Sequence, residues 1–251
     1  MIPHHKVTGP EDAPALVLSN SLGATLAMWK PQAAKLARRY RLVRYDTRGH
    51  GGSDTPPGPY SIGDVGRDVL DLLDHLGIER AHFAGLSLGG MTGMWLASNA
   101  PERVEKLILL CTSPKMGPAQ MWIDRQKTVR EQGTEAIVDG TFERWFTEAY
   151  RAEHDLSEWR AMFVGIDDEG YAGCCAVIER MDQTDALPNI TAPTLVIGGA
   201  QDPATPPDEH AAVIAGAIPG ARLEILDPGA HLINVERPDD VTRLIREHLD
   251  S

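Results

Sequence analysis

Short runs of apolar residues alternate along the chain with segments that have the amphipathic spacing of helices. The apolar runs predict buried strands at 15–20, 41–46, 81–85, 106–112, 194–199 and 221–227. The intervening segments predict helices at MWKPQAAKLARR, IGDVGRDVLDLLDHLG, LGGMTGMWLASNA and DEHAAVIAGAI, and a terminal helix at PDDVTRLIREHLD. Continuous apolar strands separated by helices are typical of an α/β fold, a mostly parallel sheet with helices on both faces.

This alternation is interrupted once. From about Ser113 to Ala186 no strand pattern is found, only helical stretches separated by glycines. The length of 251 residues suits one large domain that carries an insertion. We therefore expect residues 114–186 to form a helical cap, or lid, inserted in a core domain of residues 1–113 and 187–251.

One serine lies where a strand pattern changes to a helix pattern. Gly85-Leu86-Ser87-Leu88-Gly89 matches the G-x-S-x-G pattern, in which a nucleophilic serine occupies a sharp strand-to-helix turn. The backbone of such a serine is strained, and side chains two residues away would collide with it, so glycines are required there. The alternative is a glycine-rich turn that only lets the helix pack closely.

A serine hydroxyl needs a base, and the base needs an orienting group. Asp202 follows the strand TLVIGG and His231 follows ARLEILD, in the order Ser, acid, His. Taken alone, Asp202 could be a helix N-cap and His231 an ordinary histidine. All three residues in this order indicate a catalytic triad in which Ser87 is the nucleophile.

An oxyanion hole needs two backbone N–H donors. Leu88, directly after the serine, is the first candidate, and Leu22 in the turn Ser21-Leu22-Gly23 after ALVLSN is the second. Another glycine-rich loop, Asp46 to Ser53, lacks the G-x-G-x-x-G order of a phosphate-binding loop and is interpreted as a structural turn.

Composition excludes several other classes of protein. The formal net charge of -12 makes nucleic acid an unsuitable partner, and a small anionic ligand would need a local cation.

The three cysteines, Cys111, Cys174 and Cys175, have no disulfide or metal-site spacing, so we expect a reducing, cytoplasmic setting and packing roles for the adjacent pair. The N-terminus has no signal-peptide pattern, and no apolar run is long enough to span a membrane.

Several segments together resemble the 3-oxoadipate enol-lactonases of the α/β-hydrolase superfamily. These segments are NSLGA, DTRGHGGSD, GLSLGGM, RWFT (144–147), GYAGCCAVI (170–178) and HLINVERP (231–238). The resemblance implies an α/β-hydrolase fold, a triad of Ser87, Asp202 and His231, and hydrolysis of 3-oxoadipate enol-lactone through a serine acyl-enzyme, with no metal or organic cofactor. Two differences from relatives are expected: no strand before HHKVTGP, giving about seven strands, and no fused decarboxylase domain.

Other functions use the same residues. A general carboxylesterase or a cofactor-free perhydrolase would have the same triad, because function depends on the pocket rather than on the fold. A non-catalytic receptor built on this fold is the remaining alternative, although a receptor does not need an intact triad.

An anionic lactone requires a cation in the pocket. In MWIDRQKTVREQG, Trp122, Arg125 and Val129 share one helix face, which should be directed inward. Arg125 would then need an anion, either the substrate carboxylate or a structural acid, and the remaining alternative for it is solvent exposure. Arg144 beside Trp145 is a second candidate, and a solvent-exposed helix face is its alternative.

Overall fold

Seven strands form one sheet in the order β1-β3-β2-β4-β5-β6-β7. The structure is a computed structural model that describes residues 1–251. β1 pairs antiparallel with β3, and all other neighbouring strands are parallel. The strands are β1 (His5–Thr8), β2 (Ala15–Ser19), β3 (Arg41–Tyr45), β4 (Ala81–Leu86), β5 (Val104–Leu110), β6 (Thr194–Gly199) and β7 (Arg222–Leu226). The predicted α/β fold with a mostly parallel sheet of about seven strands is confirmed.

The chain forms eleven α-helices, five of which follow one another in sequence between β5 and β6. They are α1 (Lys30–Leu36), α2 (Ile62–His75), α3 (Leu88–Asn99), α4 (Ala119–Gln132), α5 (Val138–Trp145), α6 (Glu148–Glu153), α7 (Ser157–Val164), α8 (Asp168–Arg180), α9 (Ala211–Ala217), α10 (Ile233–Glu236) and α11 (Pro238–Asp250). Short 3₁₀ helices occur at Leu26–Trp29, Pro101–Arg103, Thr134–Ile137 and Thr184–Asn189. No helix has the length and apolar character needed to cross a membrane.

The central strands are buried on both faces because helices cover both sides of the sheet. Every residue of β4 and β6 is buried, which explains why these segments are continuous apolar runs rather than alternating ones. α2 begins at a capping box, in which the Ser61 side chain accepts from the Asp64 N–H and the Asp64 carboxylate accepts from the Ser61 N–H. Because strands β2 to β7 are parallel, their carboxyl ends lie at one edge of the sheet, and the loops that follow them meet there.

Helices α4 to α8 follow one another between β5 and β6, in the segment for which a cap was predicted. α4 packs against α8, and an aromatic cluster fills the space among α5, α7 and the segment that follows α5. In this cluster the ring of Trp145 meets Phe163 edge to face, with 5.5 Å between ring centroids. Aromatic packing therefore fixes the end of α5 relative to α7.

Several predicted boundaries were wrong by two or more residues, including the end of α2, which lies at His75 rather than at residue 77, and the start of β5, which lies at Val104 rather than at residue 106. β5 ends at Leu110 rather than at residue 112, because Cys111 has a φ of 41°, which a strand cannot accommodate. α1 ends at Leu36 rather than at residue 39. α9 begins at Ala211 rather than at residue 208, since residues 207–210 form a turn in which the N–H groups of Glu209 and His210 donate to Pro206 O.

The close approach of α8 to the loop 46–53 generates a stability prediction. A Cβ at Gly170 would collide with the backbone of Gly49, so we expect Gly170→Ala to lower the free energy of unfolding by about 1–3 kcal/mol. Gly216→Ala in α9 is the matched control, because a Cβ there meets nothing within 4 Å and alanine favours a helix. Urea unfolding of both variants tests this, and equal stability would contradict the contact.

Candidate active site

Ser87 occupies a strained backbone position between β4 and α3. Its φ and ψ are 56° and −115°, in a region that residues other than glycine rarely adopt. A Cβ at Gly85 would collide with the Gly89 backbone, and one at Gly89 with the Ser19 backbone. The Ser87 N–H donates to Leu110 O at 2.9 Å. The glycines predicted from the pattern are therefore needed for close packing around the serine.

The loops after β6 and β7 bring Asp202 and His231 together. Asp202 Oδ2 lies 2.8 Å from His231 Nδ1, and both residues are buried. The same carboxylate accepts from the Thr205 hydroxyl at 2.6 Å and from the Thr205 N–H at 3.1 Å. Burial alone would raise the pKa of Asp202, but the His231 ring and the Thr205 bonds lower it below its ordinary value. An ionised Asp202 only accepts, so Nδ1 of His231 carries the proton and Nε2 stays free to act as a base.

One cavity of about 570 Å³ contains most of the predicted site. Ser87 and His231 line it together with Leu22, and the four cap candidates Trp122, Arg125, Arg144 and Trp145 line it as well. Asp202 lies behind His231, and Leu88 directly follows Ser87 with its side chain buried. The structure thus brings residues from the loops after β2, β4 and β7 together with residues of α4 and α5.

The two predicted oxyanion donors lie beside this cavity. Leu88 is the first residue of α3, so its N–H has no acceptor within its own helix. The Leu22 N–H has no hydrogen-bond partner in the protein, although the N–H groups of Ser21, Gly23 and Ala24 all do. A donor left free in an otherwise bonded turn is available to an oxygen in the cavity.

The two cap arginines converge on one hydroxyl and have no acidic partner. Arg125 donates to Tyr171 Oη at 2.8 Å and to Thr141 Oγ1 at 2.7 Å, and Arg144 approaches the same Thr141 oxygen at 3.5 Å. Most of their N–H groups have no protein acceptor, and neither arginine forms an ion pair with a carboxylate. Burial and the charge of Arg125 lower the pKa of Arg144. Two partly buried cations side by side create a local excess of positive charge.

The last two residues of α5 also hold the loop that carries His231. The Leu232 N–H donates to Trp145 O at 2.9 Å, and the His231 N–H donates to Arg144 O at 3.4 Å. The sequence suggested Arg144 and Trp145 only as residues that contact a ligand. Their backbone contacts could not be foreseen, because they join residues that are far apart in the chain.

Other residues of the site had no clear signal in the sequence. Tyr171 and Thr141, which accept hydrogen bonds from Arg125, line the cavity, and so does His210. In the loop after β3, Asp46 and Arg48 bond scaffold groups, as expected of a structural turn, but His50 of that loop accepts from the Gly23 N–H. In the sequence, His50 was indicated by its position in DTRGHGGSD, one of the segments that resemble the enol-lactonases.

Comparison with known proteins identifies the family. Residues 14–133 and 130–238 match the family model described as alpha/beta hydrolase fold. The chain belongs to the α/β-hydrolase family. It is 43% identical over 239 residues to 3-oxoadipate enol-lactonase 2 of Acinetobacter baylyi, which covers 92% of this chain and 86% of that protein. 3-Oxoadipate enol-lactonase 1 of the same organism is 36% identical, covering 93% of this chain and 88% of that protein.

Among solved structures of α/β-hydrolases, the enol-lactonase from Burkholderia xenovorans LB400 matches with a TM-score of 0.96 and 42% identity. The match covers 99% of this chain and 96% of that structure. The resemblance to enol-lactonases is therefore confirmed, and so is the prediction of a hydrolytic enzyme.

The cysteines of this hydrolase generate a second prediction. Cys111, Cys174 and Cys175 are buried and unpaired, and burial raises the pKa of Cys175 to about 12. Because only a thiolate reacts readily, we expect Ellman's reagent to detect essentially no thiol in the native enzyme and all three in guanidinium. Activity should persist in EDTA and without reductant. A thiol that titrates in the native state, with loss of activity, would contradict a pure packing role.

Proposed function

We propose that this α/β-hydrolase opens the lactone ring of 3-oxoadipate enol-lactone through a serine acyl-enzyme. The observation that carries the proposal is the pair of cap arginines without acidic partners, Arg125 and Arg144, in the cavity that Ser87 and His231 also line. An ester hydrolase for neutral substrates has no need for two partly buried cations. A lactone that bears a remote carboxylate suits this cavity, because its ester group can meet Ser87 and His231 while its carboxylate meets the two arginines.

In the proposed reaction Ser87 Oγ attacks the lactone carbonyl carbon while His231 Nε2 takes the serine proton. Asp202 holds the imidazole in the required tautomer and stabilises its cation. The N–H groups of Leu22 and Leu88 bind the tetrahedral oxyanion, each contributing about 3 kcal/mol in the transition state. The ring C–O bond then breaks, and His231 returns the proton to the enol oxygen, which stays tethered to the acyl group. Water activated by His231 releases the acid.

The proposed anion site explains how an acidic protein can hold an acidic substrate. The chain has a formal net charge of -12, so the general field repels an anion, and the attraction must be local. Arg125 and Arg144 provide that attraction in a partly desolvated place, where a charge-assisted hydrogen bond is strong. The names of the enol-lactonase relatives, at 43% and 36% identity, support the same substrate class.

A general carboxylesterase or a perhydrolase on the same triad is the competing proposal. It predicts that the cap arginines have no influence on the choice of substrate. Rates on the enol-lactone, on neutral lactones and on p-nitrophenyl esters separate the two proposals. Turnover of any of these substrates would exclude a non-catalytic receptor.

The triad generates a third prediction. Ser87→Ala and His231→Ala should each lower kcat by several orders of magnitude, and the double variant should be little worse, because the groups act as a unit. Asp202→Asn should cost less than either. These rates can be measured on p-nitrophenyl acetate, so the test does not depend on the natural substrate. A Ser87→Ala enzyme that keeps more than about a tenth of the wild-type rate would rule out the serine as nucleophile.

The cap arginines generate a fourth prediction. Arg125→Ala should lower kcat/KM on the enol-lactone about ten-fold to a hundred-fold, as expected from losing a charge-assisted hydrogen bond of about 1.5–3 kcal/mol. Hydrolysis of p-nitrophenyl acetate should barely change, because this ester has no group for the guanidinium to bind.

Tyr171→Phe is the matched control for Arg125, since it removes the phenol oxygen that orients the guanidinium and keeps the ring. It should produce a smaller loss on the same acidic substrate and none on the neutral ester. Equal losses of Arg125→Ala on both substrates, or a lowered Tm with unchanged kinetics, would assign Arg125 to the scaffold.

A further inference from the structure

The turn that carries the proposed oxyanion donor Leu22 has an unusual support. Residues 21–24 form a β-turn closed by the Ala24 N–H, which donates to Ser21 O at 3.1 Å. The φ of 80° at Gly23 is that of the third residue of a type II turn. The N–H of the central Leu22–Gly23 peptide donates to His50 Nε2 at 3.0 Å. A side chain from another loop therefore bonds the one peptide group whose rotation would change the turn type.

The state of the His50 ring follows from its two backbone contacts. Nδ1 lies 3.2 Å from Arg48 O, which can only accept, so Nδ1 carries the proton. Nε2 then has a free lone pair, as its bond from the Gly23 N–H requires. The ring is 1% exposed, and burial lowers the pKa of His50 to about 4. The imidazole is thus neutral at neutral pH, in the single tautomer that can support the turn.

His50 does not contact the substrate cavity, and its ring is held from the side of the cap. Tyr171 stacks on the imidazole with 6.3 Å between ring centroids and 29° between ring planes. Next to His50, the Gly49 backbone packs so closely on Gly170 of α8 that neither residue could carry a Cβ. The imidazole is therefore fixed between α8 and the turn, with little freedom to follow a turn that moves.

We propose that His50 is a positioning residue for the oxyanion hole, holding the Ser21–Ala24 turn in one form so that the Leu22 N–H stays in place. This inference rests on the proposed function, in which Leu22 binds the oxyanion. Without the Nε2 acceptor, the Gly23 N–H is left unbonded and the central peptide can rotate. If the turn can change its form, the Leu22 N–H is no longer held in one position. A displacement of about 1 Å in a catalytic group can lower the rate about a hundred-fold.

Two substitutions test the two hydrogen bonds of the His50 ring separately. In His50→Asn the short amide can still donate to Arg48 O but cannot reach Gly23, whereas in His50→Gln the longer side chain brings an oxygen to the position of Nε2. On p-nitrophenyl acetate we expect His50→Asn to lose about ten-fold to a hundred-fold in kcat with KM nearly unchanged. His50→Gln should recover most of that loss.

Affinity for an alkyl trifluoromethyl ketone, whose serine adduct places an oxyanion in the hole, should fall in parallel with kcat/KM in His50→Asn. His248→Asn is the control, because His248 is also buried and bonded to a backbone carbonyl, Pro193 O. It should leave kcat and ketone affinity unchanged, whatever its effect on Tm.

Unchanged kcat in a folded His50→Asn enzyme, or equal losses in the Asn and Gln variants, would overturn the role of His50. Ser87→Ala is measured in parallel to distinguish a failure of the His50 proposal from a failure of the proposed function. Substantial turnover by Ser87→Ala would overturn the serine mechanism itself. If His50→Asn does not fold, nitrogen-15 NMR of the wild-type imidazole still tests the inference. Protonated Nδ1 and unprotonated Nε2 at neutral pH support it, and the opposite tautomer overturns it.

Discussion

The left-handed backbone of Ser87 is the constraint around which the active site is organised. A non-glycine residue with a φ of 56° is strained, so its surroundings must hold it there. They do so through backbone contacts that exclude any Cβ at Gly85 and Gly89, and through the bond from the Ser87 N–H to Leu110 O. β5 then leaves the sheet at Cys111, also at positive φ, so that the Thr112 hydroxyl can donate to Ser87 O. Hydrogen bonds from the Ser87 N–H and to the Ser87 carbonyl oxygen thus join the strained serine to the end of β5.

Electrostatics divides the cavity into two halves with different tasks. On the core side, the buried charge of Asp202 is stabilised by hydrogen bonds from His231 and Thr205, an arrangement that is complete without a ligand. On the cap side, Arg125 and Arg144 share a neutral hydroxyl and have no counter-charge. Because an unpaired charge is costly to desolvate, the second arrangement is completed only when an anion enters. In the proposed function, the core therefore supplies reactivity and the cap supplies selectivity.

The sequence was sufficient for features that depend on local pattern or on order along the chain. Apolar runs located the strands, and the positions of Asp202 and His231 after two of them indicated which loops would meet Ser87. What could not be predicted are contacts between distant segments, such as Tyr171 with Arg125 or His50 with Gly23. Neither leaves a periodicity or a spacing, because each joins segments that are far apart in the chain and meet only in the folded protein. The positive φ of Cys111 is likewise set by tertiary contacts and overrides an apolar strand pattern.

The end of α5 connects the two halves of the site. Arg144 faces the cavity with its guanidinium, while its carbonyl oxygen accepts from the His231 N–H, and the next carbonyl accepts from the Leu232 N–H. A change that moves this segment would therefore move both the proposed anion site and His231, the proposed base. Arg125 lies on α4, away from those backbone bonds, and its side chain can change without displacing His231. Under the proposed function, we therefore expect substitutions at α4 to alter substrate preference with little effect on the chemistry, whereas substitutions at the end of α5 should affect both.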